Sequence, residues 1–146
     1  MNSANDKSPR RTKTTPFVRK LIRTSLVLWA SPGTCLGLLI GTVGLMTGGG
    51  YQFHTGVLEF HGGATARFLT TMPVKAAAMT FGHVVLGRDV PSLDFTRDHE
   101  RVHVRQYERW GPFFIPAYLF FSAALWVIGK DAYRSNPFEV EAYENS

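Results

Sequence analysis

The stretch Phe95-Thr96-Arg97-Asp98-His99-Glu100-Arg101-Val102-His103 decides how this chain is read. Residues 99–103 are H-E-x-x-H. On a helix, residues four apart share a face, so both imidazoles can reach one zinc ion. Glu100 lies beside that face, where it can take a proton from a zinc-bound water. The surroundings are helical from Phe95 to Trp110. Asp94 or Thr96 can cap the start, and Gly111-Pro112 gives a sharp stop. His99, His103, Gln106 and Trp110 fall on one face of that helix.

A catalytic zinc takes three protein ligands. The extended pattern H-E-x-x-H-x-x-G-x-x-H is absent, because Gln106 and Arg109 stand where it needs glycine and histidine. Downstream, one segment concentrates carboxylates: Glu139, Glu141 and Glu144, after Asn136-Pro137. Asn as cap and Pro at the first position start a short C-terminal helix there. Glu139 also has the spacing of a capping box with Asn136, so cap and ligand compete for it.

H-E-R-V-H followed by F-E-V-E-A-Y resembles the gluzincins, and most of all the HtpX and CAAX-prenyl-protease type of membrane gluzincin. In those proteins the third ligand is a Glu on a later helix that reads E-x-x-A-D. Aligning Ala142 with that alanine implies Glu139 as the ligand. Tyr143 replaces the family's Asp, which keeps Glu141 as the alternative. The resemblance covers the two short motifs. It implies Zn2+ held by His99, His103 and Glu139, with Glu100 as general base, in a peptidase acting on peptides or proteins at a membrane.

Upstream, no Asp, Glu, Lys or Arg occurs between Arg23 and Glu59. Residues 24–47 are long enough for a transmembrane anchor, though diluted by glycine and Pro32. Gly33, Gly37 and Gly41 form a tandem G-x-x-x-G, which suits a homodimer or packing on the chain's second apolar helix. Residues 1–23 hold seven basic residues and one acid and read as a disordered basic tail. The basic flank places the N-terminus in the cytoplasm and residues 48–146 on the outer face. Beyond the tail the charges nearly cancel, which argues against nucleic-acid binding. A single cysteine, Cys35, excludes a disulfide-built domain.

Residues 51–87 read as a small antiparallel β-meander of three or four strands, including 57–60, 67–70 and 79–86. His83 falls on the last of these and is a candidate oxyanion donor, catalytic in that sense. His54, Glu59 and His61 are close in sequence, but strand alternation separates His54 from the other two. Tyr133 and Arg134 could orient substrate or ligand. Arg101, Arg105 and Arg109 make a solvated or headgroup-facing stripe.

The apolar run 113–129 would span only about 25 Å as a helix, short of the roughly 30 Å hydrocarbon core. A true span would also put His99 and Glu139 on opposite sides of the membrane. The run therefore reads as a helix folding back along the zinc helix. The expected whole is an α+β chain: membrane helix, β-meander, H-E-x-x-H helix, back-folding helix and short C-terminal helix. The reading in another class is a non-catalytic membrane protein with a structural or vestigial metal site.

Overall fold

A computed structural model of the chain describes residues 15–146. Four of the seven basic residues of the expected tail, Lys7, Arg10, Arg11 and Lys13, lie outside the described residues. Helix α1 already runs from Pro16 to Trp29. The expected tail therefore ends too late: Pro16 sits in the first turn, where its missing N–H costs nothing, and Phe17, Val18, Leu21 and Ile22 extend the apolar pattern.

Helix α2 covers Ser31–Met46. It is bent by 65° from α1, so the expected single membrane helix over 24–47 is replaced by two shorter ones. Ala30 sits at the corner with no exposed surface, and Pro32 in the first turn of α2 cannot continue the hydrogen-bond ladder of α1.

Strands β1 (Gly50–His54), β2 (Val57–His61), β3 (Ala78–Phe81) and β4 (Val84–Gly87) form one sheet in the order β1-β2-β4-β3. Two antiparallel hairpins are joined by a parallel β2–β4 pair, so the sheet is mixed and not a meander. A parallel pair needs a crossover. Helix α3, Gly63–Thr71, supplies it, and the strand expected at 67–70 is helical. Thr65 and Leu69, one turn apart, are both fully buried, so a four-residue period governs this segment.

The sheet is sandwiched. Helix α4, Val90–Trp110, covers one face, where Val57, Ala78, Val85, Leu93 and Val104 pack together. Asp89 caps it by accepting from the Ser92 N–H at 2.7 Å, in place of the expected Asp94 or Thr96. Helices α2 and α3 cover the other face over Phe60, Leu69, Phe81, Val84 and Leu86.

The glycine stripe of α2 is what allows this. A Cβ at Gly37 would stand 2.8 Å from Val84, and one at Gly41 would stand 2.3 Å from the Phe60 ring. Gly33 abuts Tyr107 in the same way. The stripe expected to pair two copies, or to meet the second apolar helix, is occupied by the chain's own sheet and by α4.

Helix α5, Phe114–Val127, follows α4 through a 3-10 turn at Gly111–Phe113. The whole helical run Val90–Val127 is long and apolar enough to span a membrane. It is not one straight rod, because Gly111 takes φ 54° and ψ −128°. The His103 and Phe114 rings are 6.2 Å apart, whereas eleven residues of straight helix would separate them by about 16 Å. Helix α6, Pro137–Glu144, packs on α4 and closes the structure. Asn136 caps it through the Phe138 N–H and donates to Tyr118 O and Ser122 Oγ of α5.

Candidate metal centre

His99 and His103 project from one face of α4, and Glu139 reaches them from the first turn of α6. His103 Nε2 and His99 Nε2 are 3.2 Å apart. Glu139 Oε2 is 3.3 Å from His99 Nε2, and its Oε1 is 3.5 Å from His103 Nε2. Donors at about 2.0–2.1 Å from a tetrahedral zinc stand about 3.3–3.4 Å from one another. The three side chains therefore have the spacing of a zinc ligand set. Among the described residues, Glu139 Oε2 is buried with no hydrogen-bond partner, as a ligand oxygen would be.

The tautomer is set by a neighbour. His103 Nδ1 lies 2.8 Å from Gln106 Oε1. The Gln106 amide cannot be reversed, because its Nε2 donates to Phe138 O at 3.0 Å and to Glu141 Oε2 at 2.9 Å. Gln106 thus presents oxygen to His103, which keeps the proton on Nδ1 and leaves the Nε2 lone pair for a metal. Arg109 holds the other oxygen of Glu141 at 3.0 Å. Glu141, the alternative ligand, is spent on this support and lies off the centre.

Glu139 does not close a capping box. Its Oε1 accepts from Tyr118 Oη at 2.8 Å, which orients the carboxylate toward the histidines. Burial alone would raise its pKa, but the His103 and His99 imidazoles and the Tyr118 hydroxyl outweigh that and hold it at about 2. Burial likewise pushes His103 down, and the Glu139 and Glu100 carboxylates more than restore it, leaving it above its ordinary value. Tyr143 packs its ring against His99 at 4.7 Å, which buttresses that imidazole.

Glu100 is buried and lines the cleft beside the histidines. Thr80 of β3 donates to its Oε2 at 2.7 Å. Burial raises the Glu100 pKa and wins over the lowering by His103 and Thr80.

The cleft has a volume of about 450 Å³. Its walls are the β3 strand, the first turns of α5, Tyr133 and the loop before β3. β3 is an edge strand, so among the described residues its outer backbone groups have no strand partner.

His83 is corrected. It lies in the β3–β4 turn, bonds Glu108 at 3.1 Å through Nε2 and does not line the cleft. The expected strand 79–86 is interrupted there, since Gly82 with φ 60° makes the turn. His54, Glu59 and His61 form no site either, because Arg97 and Gln52 bind the Glu59 carboxylate. Arg101 donates to the His54 and Thr55 carbonyls, leaving Arg105 as the member of the expected arginine stripe most clearly given to solvent. Gln106, Tyr118 and Thr80 had no functional role in the sequence reading. Only the shared helix face pointed to Gln106.

No family model matches the chain, and no curated protein or solved structure matches it.

Proposed function

We propose that this chain is a membrane-associated zinc peptidase that hydrolyses peptide bonds with a zinc-activated water. The observation that carries the proposal is the convergence of two imidazoles and one carboxylate: His99 Nε2 and His103 Nε2 are 3.2 Å apart, and lie 3.3 Å from Glu139 Oε2 and 3.5 Å from Glu139 Oε1 respectively. A bound zinc would lower the pKa of its water to near 7 and polarise a carbonyl.

This chain's own residues supply the rest. Glu100, held by Thr80, takes the proton from the attacking water and passes it to the leaving amine. A structural zinc site has no use for such a base. The free edge of β3 can pair with an extended peptide and carry its backbone past the centre. Met79, Phe81, Ile115 and Leu119 give the cleft apolar walls, which favour apolar side chains in the substrate.

The test is hydrolysis of an unfolded protein such as casein, and of a mixed library of fluorogenic peptides, by zinc-loaded full-length chain. Cleavage that disappears in Glu100→Gln while bound zinc is retained supports the proposal. Equal cleavage by both, or none by either, contradicts it.

A further inference from the structure

We propose that this chain lies in one leaflet of an anionic bilayer, as a monotopic protein, with the outer faces of α2 and α5 in the lipid. Both helices flank the same core cluster on one side of the sheet, through Ile40 and Ile115. Among the described residues, nothing covers their outward side chains. Leu39 is 65% exposed and Met46 82% on α2, and Phe120 is 68% and Trp126 74% on α5. Tyr51 and Phe53 of β1, opposite Phe60 and Leu58, extend this surface at 65% and 71%. Large apolar side chains left exposed on three neighbouring elements mark a contact with a membrane or a partner.

Three observations select a bilayer entered from one side. The helices are too short to cross: α1, α2 and α5 reach about 21, 24 and 21 Å against about 30 Å of hydrocarbon. Next, α2 cannot cross without its domain. Its glycine face is locked on a sheet whose other side carries α4, with exposed Asp98, Arg105 and Arg109. Drawing those ions into hydrocarbon is costly.

Charge then specifies the lipid. α1 pairs exposed Phe17, Leu21 and Leu28 with exposed Lys20 and Arg23, the composition of a helix lying at an interface. It follows directly on residues 1–15, which carry a net charge of +3. Such a segment is attracted to anionic headgroups. Both ends of the chain and the zinc centre then stand on one side of the membrane, which replaces the expected outer-face topology. Leu119 belongs to both the apolar surface and the cleft wall, so the cleft opens at lipid level. That last consequence for substrates, apolar segments at a membrane surface, rests on the peptidase reading. The seating in the leaflet does not.

The experiment dilutes detergent-purified full-length chain into vesicles of phosphatidylcholine with phosphatidylglycerol, or of phosphatidylcholine alone, and floats them. Glu100→Gln protein serves, so that lipid binding is read without activity. The expected result is flotation with the anionic vesicles. A Leu39→Ser/Phe120→Ser/Trp126→Ser variant should bind them about tenfold or more weakly while keeping its circular dichroism spectrum. Lys20→Gln/Arg23→Gln should cost about fivefold per charge, on anionic vesicles only. Protease added outside the vesicles should release both terminal peptides. A terminus protected inside the vesicle would show a span and overturn the proposal. Absence of flotation would also overturn it, and a dimer by sedimentation would then identify a second copy as the cover.

Discussion

His103 Nδ1 and Gln106 Oε1, one helical turn apart on α4, are 2.8 Å apart in a buried contact that joins the metal centre to α6. Gln106 touches no ligand other than His103, and its two amide hydrogens are spent on Phe138 O and Glu141. Replacing it by Leu removes the acceptor that fixes the imidazole tautomer. The expected loss in zinc affinity is about 10–100-fold, read by competition with a chelator. Gln106→Glu alone places a carboxylate against Glu141 and should also weaken binding. The double variant Gln106→Glu/Glu141→Gln reverses donor and acceptor at position 141 but leaves the Phe138 carbonyl without its donor, so it should recover part of the affinity lost in Gln106→Glu. Recovery would separate this role from a merely structural one.

Zinc and a proton would compete for His103, so zinc affinity should depend on pH. In the metal-free chain the Glu139 pKa lies at about 2, below its ordinary 4.5. Its contribution to stability is present above 4.5 and lost as pH falls toward 2. The His103 pKa is raised above 6.5, so its contribution is present below 6.5 and lost as pH rises through the raised value. Zinc requires the neutral imidazole. Its apparent affinity should therefore rise with pH, by about tenfold per unit for each proton displaced, and level off above the raised His103 pKa. The increase in Tm on adding zinc should be small near pH 5 and large near pH 8, as read by calorimetry. An increase independent of pH would contradict histidine ligation.

Gly41→Ala should unfold or loosen the domain, since its Cβ would stand 2.3 Å from the Phe60 ring. A backbone shift or an off-rotamer Phe60 costs about 1–3 kcal/mol, and Gly41→Leu more. Denaturant titration checks this. If the glycines served a dimer instead, Gly41→Ala would leave the monomer's stability unchanged and alter only its association.

Arg97 donates to both Glu59 oxygens, at 3.2 and 3.1 Å, and Glu59 is only 2% exposed. Arg97→Leu leaves a buried carboxylate without its counter-ion, at a cost of about 3–5 kcal/mol. Arg105→Leu, on the exposed face of α4, should stay within about 0.5 kcal/mol of wild type.

The cluster of His99, His103 and Glu139 is legible in the sequence where a local rule suffices. His99 and His103 meet because a helix puts residues four apart on one face, and Glu139 follows a cap that Asn136 and Pro137 announce. What escaped depended on distant parts of the chain. Gln106 gains its role from Phe138 and Glu141, which sequence spacing cannot bring to it. Arg67–Thr70 has the composition of a strand, yet burial of Thr65 and Leu69 makes it a helix and turns a meander into a mixed sheet. The glycine stripe correctly announced close approach, but not that a sheet would fill it. His83 was misplaced by one feature, the turn that Gly82 makes.

The most direct measurement is zinc per chain in detergent-purified protein supplied with the metal, for wild type, His103→Ala and Glu139→Gln. The account predicts one zinc in the folded wild type, loss in His103→Ala, and binding weakened by about tenfold or more in Glu139→Gln. Glu141→Gln should retain its zinc. A folded wild type that takes up no zinc, or a Glu139→Gln variant that binds as tightly as wild type, would contradict the centre built from His99, His103 and Glu139.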